Sequence, residues 1–455
     1  MKNTENSKAN TSASASAATV NPDLFVMLCL SAFRGGGCRV KVTGNGKISA
    51  PIVKYYSNSG AESQLTTRRG AIAAGKLFPA ILRQTGASPL SSAAGACYYF
   101  NKQIHCRAAA ERSGQMKTMQ GYMHGIDLGG WFSQCDNTEK RYDYFIRRED
   151  FRRIARWGLD HVRVPVDYEL VQNADGSFKE AGFARIENCW RWARENGLNM
   201  ILDLHKTQGF SFDSGEHETG FFESEKYQAL FYSLWEEFAG RFGKLDGLAF
   251  ELLNEVTEKS YCESWNRISL EAVRRIRLYA PDIRIIIGGY WNNDVSAVKD
   301  LALPADANIV YTFHCYAPLI FTHQGAYWIE SMDRSFRMPF TSPCRVYAEN
   351  TEKYLGKGFK ETFPDPDAVI TPAYFESLFA EALAVAEERD VPLYCGEYGV
   401  IDLADAEEAL KWYTCISAVF EKYRIGRAVW SYKEMDFGLI EAHFDGVRDR
   451  ILKLL

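Results

Sequence analysis

Two glutamates stand at the ends of apolar runs, Glu255 in FELLNEV and Glu397 in PLYCGEYG. A lone acid in that position ordinarily opens a helix, where it complements the helix dipole. Here other apolar runs also carry polar or aromatic groups at or near their ends: Arg163 in HVRVPV, His205 in LDLH, Asn254 directly before Glu255, His314 and Tyr316 in TFHCY, and Trp430 in AVWSYK. One such His or Arg is usually satisfied by packing, but a whole set of run ends calls for a shared site. Two opposed carboxylates with an aromatic floor can cleave a glycosidic bond: one protonates the leaving oxygen and the other meets the positive charge developing at the anomeric carbon.

Convergence of these residues requires elements that bring the run ends together. Eight β-rich runs recur after Gly121, at 122–130, 161–166, 199–205, 248–254, 284–289, 308–316, 392–397 and 426–432. Between them fall helical stripes, Phe183/Ile186/Trp190/Ala193 and Leu230/Leu234/Phe238/Phe242, and a third that Thr371-Pro372 should open before Phe375, Phe379, Ala382 and Ala386. Near-continuous apolar strands alternating with helices predict an α/β fold of the (β/α)8 TIM-barrel type, whose chemistry sits at the C-terminal ends of the strands. A doubly wound open sheet is the competing architecture, and no G-x-G-x-x-G follows the first strand. The connection from Ala317 to Ile370 is long enough to be a lid or a substrate wall.

The ordered set Arg163, His205, Asn254-Glu255, His314-x-Tyr316, Glu397 and Trp430 resembles glycoside hydrolase family 5, the cellulase-like retaining glycanases, from about Gly121 to the C-terminus. The resemblance implies Glu255 as acid/base and Glu397 as nucleophile. It further implies that Arg163 and Tyr316 orient Glu397, that Asn254 holds a 2-hydroxyl, that His205 and His314 line the sugar site, and that Trp430 is its floor. No cofactor is implied.

Other motifs carry weaker signals. The glycines of GIDLGGW, Gly125 to Trp131, either admit a ligand close to the backbone or merely permit a tight turn. Trp131, Trp291 and Trp328 follow strands and are each either sugar platforms or core. Lys433, Glu434 and Asp436 read as a further subsite or as a surface ion-pair cluster. Asp203, His205 and His314 hint at a metal, but without a further His/Asp cluster no metal site is expected.

Composition bounds the rest. The 455 residues, 46% of them apolar, can bury a large core, and the net charge of −5 divides into +10 for residues 1–115 (14 Lys/Arg, 4 Asp/Glu) and −15 for the remainder (39 and 54). The acidic part has no basic stripe for nucleic acid. Eleven scattered cysteines, without zinc spacing, favour free thiols in a reducing compartment. Leu24 to Phe33 is too short to span a membrane and lacks a basic flank or cleavage site, so a cytoplasmic enzyme is expected, with secretion the alternative. Residues 1–115, Ser/Ala-rich at the start and free of tryptophan, read as a disordered leader before a catalytic domain at 116–455. They also read as an upstream extension of the reading frame, because Glu111 to Gln115 before Met116 can be encoded by a purine-rich run like a bacterial ribosome-binding site. The expected activity is hydrolysis of β-linked glucans, most simply imported cellodextrins or mixed-linkage fragments. β-Mannan or a non-catalytic sugar-binding barrel is the alternative.

Overall fold

The computed structural model describes residues 116–455, apart from 214, 217, 360 and 364, together with three short strands nearer the N-terminus. Those strands, β1 (Val40–Thr43), β2 (Ile52–Tyr56) and β3 (Glu62–Thr66), form an antiparallel sheet in the order β1-β2-β3. Only β1 (VKVT) alternates apolar and polar residues; β2 (IVKYY) and β3 (ESQLT) do not, so a period of two does not disclose the sheet. The expectation of a disordered leader and the reading of Leu24 to Phe33 otherwise fall outside the described residues.

All eight strands expected after Gly121 are present: β4 (His124–Asp127), β5 (His161–Asp167), β6 (Asn199–Lys206), β7 (Leu248–Glu251), β8 (Arg284–Ile287), β9 (Ile309–Cys315), β10 (Leu393–Tyr398) and β11 (Gly426–Val429). They pair in parallel with their chain neighbours, and β11 closes on β4 through Arg427↔His124, Ala428↔Gly125 and Val429↔Ile126. The barrel is closed. Alternation along the strands separates two cores, as a barrel sheathed in helices requires. Met200, Leu202, Phe250, Ile285, Ile309 and Leu393 belong to the large cluster, while Ile201, Ala249, Ile286, Val310, Tyr394 and Ala428 form a separate small one with Met119 and Tyr122. The small cluster plugs the barrel interior, leaving the next inward positions along the strands to polar side chains.

Helices lie where the apolar stripes place them, with differences of detail. In Glu180–Glu195 the buried stripe runs through Cys189 rather than Trp190, whose indole N–H instead reaches the Asp246 carbonyl at 2.9 Å. In Glu225–Phe242, Phe231 is buried and Leu230 only half-buried, and Ser224 caps the first turn by accepting from the Tyr227 N–H. Thr371 stands at the cap of Pro372–Glu388 but its side chain makes no capping bond; Pro372, with φ already set for a helix, opens the first turn. The connection from Ala317 to Ile370 contains helices Leu319–Thr322 and Cys344–Tyr354 and packs on its own buried Phe321, Phe340 and Tyr347. No helix among the described residues is long and apolar enough to cross a membrane.

Phe379 shows how the helical layer is held. It is fully buried between Phe313 of β9, Phe375 and Phe420, with ring centroids 5.0, 6.3 and 5.9 Å away. Phe379→Ala is expected to lower stability by about 3–5 kcal/mol through lost burial and the cavity left behind; a urea midpoint unchanged from wild type would show that this layer does not carry the barrel.

Candidate active site

Arg163 lies on β5 with no exposure, and all five of its N–H groups are engaged. Nη1 donates to Asp127 Oδ1 at 3.0 Å and Glu397 Oε1 at 2.9 Å, and Nε to Glu251 Oε2 at 2.7 Å. Nη2 meets Asn254 Oδ1 at 2.9 Å, Asp203 Oδ2 at 3.0 Å and Glu251 Oε1 at 3.3 Å. One cation therefore faces four carboxylates from β4, β6, β7 and β10. Burial pushes Asp127 and Glu251 above the ordinary carboxylate range and Asp203 up to about 7, with Arg163 pulling each of them back.

Glu397 is brought to this centre by a break in the strand. Along β10, Tyr394 faces inward and strict alternation would turn Glu397 outward. The register instead shifts between Cys395 and Glu397, pairing them with Phe313 and His314, so Gly396 is an extra residue and Glu397 shares the side of His314. A Cβ on Gly396 would lie 2.9 Å from His314 Nε2 and 3.0 Å from Thr312 Oγ1. Tyr316 completes the clamp, its hydroxyl donating to Glu397 Oε2 at 2.9 Å.

Glu255 lies across from it, at φ +37 just beyond the end of β7. His314 Nδ1 meets its Oε1 at 2.7 Å, and Asn292 Nδ2 donates to its Oε2 at 3.0 Å. A carboxylate oxygen of each glutamate and a ring nitrogen of His314 all lie within 4.8 Å of one another. Burial raises Glu255 and the Asn292 hydrogen bond opposes it. His314 is pushed down to about 4 and His205 to about 3, in both cases by burial, so both rings are neutral. Asn293 Nδ2 donates to His314 Nε2 at 3.3 Å, which assigns the ring hydrogen to Nδ1. The atom facing both glutamates is then a donor, not a lone pair for a metal.

Trp430 follows β11 and is parallel to the His205 ring, 3° between planes and 6.0 Å between centroids. Behind it stands Gly129, where a Cβ would come within 2.7 Å of the indole. This accounts for one glycine of GIDLGGW: it makes room for the floor. His205 Nδ1 is fixed by Asp203 Oδ2 at 2.6 Å, and Asn254 Nδ2 approaches its Nε2 at 3.4 Å. With Asn254 Oδ1 committed to Arg163, only the amide nitrogen remains to meet a hydroxyl.

The chain matches the Cellulase family (glycosyl hydrolase family 5) over residues 121–436. The chain belongs to glycosyl hydrolase family 5. Cellodextrinase A of Ruminococcus flavefaciens is 46% identical over 313 residues, 69% of this chain and 86% of that protein. Endoglucanase C of Acetivibrio thermocellus is 34% identical over 343 residues, 74% and 98% of the two chains. The solved structure of Thermotoga maritima Cel5A in complex with mannotriose is 26% identical, covers 73% of this chain and 97% of its own, and superposes with a TM-score of 0.58. This family 5 protein is accordingly a glycosyl hydrolase.

The barrel thus brings together Arg163, His205, Asn254, Glu255, His314, Tyr316, Glu397 and Trp430. Trp131 is not with them. It is buried against Phe132 and Trp192, and its indole N–H donates to the Tyr142 carbonyl at 2.8 Å, so it is core and its assignment to substrate binding is corrected. Trp291 is 49% exposed and immediately precedes Asn292, so it remains available as a platform. Trp328, 45% exposed, joins His323 and Phe437 in an aromatic wall continuous with Tyr316. The long connection supplies His323 and Trp328, which fits its expected part as a wall. Lys433 and Glu434 are bound to Phe145 O and Arg141, the ordinary fate of surface charges.

Four residues of the site escape the pattern reading: Asp127, Glu251, Asn292 and Asn293. An acid inside an apolar run, as in LAFELL, signals a buried partner, because an unpaired charge there is prohibitive. Consecutive asparagines, as in YWNND, signal left-handed backbone.

Two outcomes follow from this geometry. Gly396→Ala is expected to reduce turnover by at least about tenfold, the effect of roughly a 1 Å misplacement or more, while changing the melting temperature little; full activity would show that the bulge does not set Glu397. Asp203 has a higher pKa folded than unfolded, so its stabilising proton is held fully below its ordinary value of 3.8 and lost as pH rises through about 7. The melting temperature of wild type relative to Asp203→Asn should therefore fall between about pH 4 and about pH 7, and a difference independent of pH would refute the buried-proton assignment.

Proposed function

We propose that the protein is a retaining β-glycosidase acting on β-linked glucans, with short cellodextrins as its leading substrates. The observation that carries this reading is the pair of glutamates with carboxylate oxygens within 4.8 Å, one clamped by Arg163 and Tyr316 and the other held by His314 and Asn292. Retaining enzymes hold their carboxyls about 5–5.5 Å apart, too close for a water between nucleophile and sugar.

In the first step a Glu397 oxygen attacks the anomeric carbon while Glu255 delivers its proton to the departing glycosidic oxygen. Burial suits Glu255 to hold that proton. In the second step Glu255, now ionised, takes a proton from water, the resulting oxygen attacks the same carbon, and the Glu397 ester bond breaks. Configuration is retained, and both glutamates return to their starting states. Arg163 and Tyr316 keep Glu397 aimed throughout, and Trp430 offers the sugar an apolar face.

Support for cellodextrins comes from the 46% identity to a protein named cellodextrinase and from the aromatic wall of the long connection, which suits short chains entering from one side. Endo-action on open glucan chains is the second reading, favoured by the resemblance to endoglucanase C. The seven cysteines among the described residues are free, which supports placement in a reducing cytoplasm with imported oligosaccharides as substrate.

Product analysis on cello-, laminari- and manno-oligosaccharides, with the anomer followed by NMR, tests the proposal. The expected result is cleavage of the cello series with retention, unaffected by EDTA, and loss of at least about a thousandfold in Glu255→Ala and Glu397→Ala. Inversion, or unchanged activity in either variant, would overturn the mechanism; cleavage confined to manno-oligosaccharides would overturn the substrate.

A further inference from the structure

After β8 the chain makes a tight turn in which Trp291 (φ 53), Asn292 (φ 57) and Asn293 (φ 56) all lie in the left-handed region. For non-glycine residues this conformation costs roughly 1–2 kcal/mol each, least for asparagine, so three in succession need an external hold. The hold is the segment that follows Glu255: the Trp291 N–H donates to Thr257 O at 3.1 Å and the Asn292 N–H to Val256 O at 3.0 Å. Gly288 makes space from below, since a Cβ there would fall 2.2 Å from Asn293 Oδ1. The turn and the Glu255 segment are one bonded unit.

Both oxygens of Glu255 are served from this unit. Asn292 Nδ2 reaches Oε2 at 3.0 Å directly. Asn293 acts through His314: its Nδ2 occupies Nε2 at 3.3 Å, which leaves the Nδ1 hydrogen for Oε1 at 2.7 Å. Two donors onto a carboxylate favour its ionised form, against the burial that favours the protonated one. The other ionisable groups facing Glu255 are Arg163 on β5, Asp203 and His205 on β6, Tyr316 beyond β9 and Glu397 on β10. Most of these answer to the Arg163 centre; Asn292 answers to Glu255 alone.

We propose that Asn292 is a positioning residue that sets how readily Glu255 passes from acid to base, and that its contribution falls mainly on the acid-assisted first step. The inference rests on the double-displacement reading above. In the first step the donor at Oε2 stabilises the carboxylate that forms as Glu255 gives up its proton. In the second step the same donor holds the carboxylate oxygen in place but lowers its basicity, so it gives that step less.

Asn292→Gly removes the amide yet suits a φ of 57, so the turn keeps its backbone. On cellotetraose, the alkaline limb of kcat/KM, which reports loss of the Glu255 proton, should move up by about one pH unit, the equivalent of one hydrogen bond to a charged group at an exposed position. On 2,4-dinitrophenyl β-cellobioside, whose leaving group needs no acid, kcat and kcat/KM should stay within about twofold of wild type, while kcat/KM on cellotetraose below the limb falls about threefold. An unshifted limb, or a loss on the dinitrophenyl substrate as large as that on cellotetraose, would overturn the inference. Glu255→Ala run beside it separates the two readings. If Glu255→Ala is inactive on cellotetraose while Asn292→Gly behaves as wild type, only the role of Asn292 fails. If Glu255→Ala keeps wild-type turnover, the two-glutamate mechanism fails and this inference with it.

Discussion

A single buried guanidinium organises the catalytic end of the barrel. Arg163 gathers acids from four other strands, and no second buried cation lies among them, so the charges balance only if protons make up the difference. The upward displacement of Asp127, Glu251 and Asp203 expresses that constraint. Removing one partner from a buried pair generally costs about 3–5 kcal/mol, because the other charge is left uncompensated. The centre is a joint between five strands. Glu397 inherits its position from this joint, and His205 inherits its orientation through Asp203.

Glu255 belongs to a different regime. It is held by neutral donors, an amide and an imidazole, rather than by a cation, and its backbone is strained at φ +37. Two carboxyl groups of one chemistry are thus placed in unlike surroundings, as the proposed division into acid and nucleophile requires. One is locked by charge, while the other is left able to change protonation.

The barrel was legible because parallel strands sheathed in helices are buried on both faces and read as unbroken apolar runs. Residues at the ends of those runs were legible for the same reason, standing where polarity interrupts a pattern. Asp127 and Glu251 were not, since an acid within a short strand looks like noise until its partner on another strand is known. Gly396 hides its purpose too: alternation counted along YCGEY points Glu397 outward, and only the pairing with β9 reveals the extra residue. Trp131 and Trp430 both follow strands and are alike in sequence context. What separates them is the Tyr142 carbonyl, which takes the indole N–H of Trp131 from a different element. Helix stripes erred by one position at Trp190 and Leu230, because a large side chain can lie at the edge of a face and still read as part of it.

The floor of the site straddles the closure of the barrel. Trp430 follows the last barrel strand and stands against Gly129, which follows the first, while the Tyr432 N–H donates to the Asp127 carbonyl at 2.9 Å, bonding the segment after the floor to the backbone of an Arg163 partner. No earlier stretch of chain can assemble this pocket. As the polypeptide is synthesised, Glu255 exists long before Glu397, and both exist before Trp430 docks on the loop after β4. A growing or partly folded chain therefore lacks the pocket proposed to hold the sugar, and under the proposed mechanism catalytic competence arrives only with the final strand.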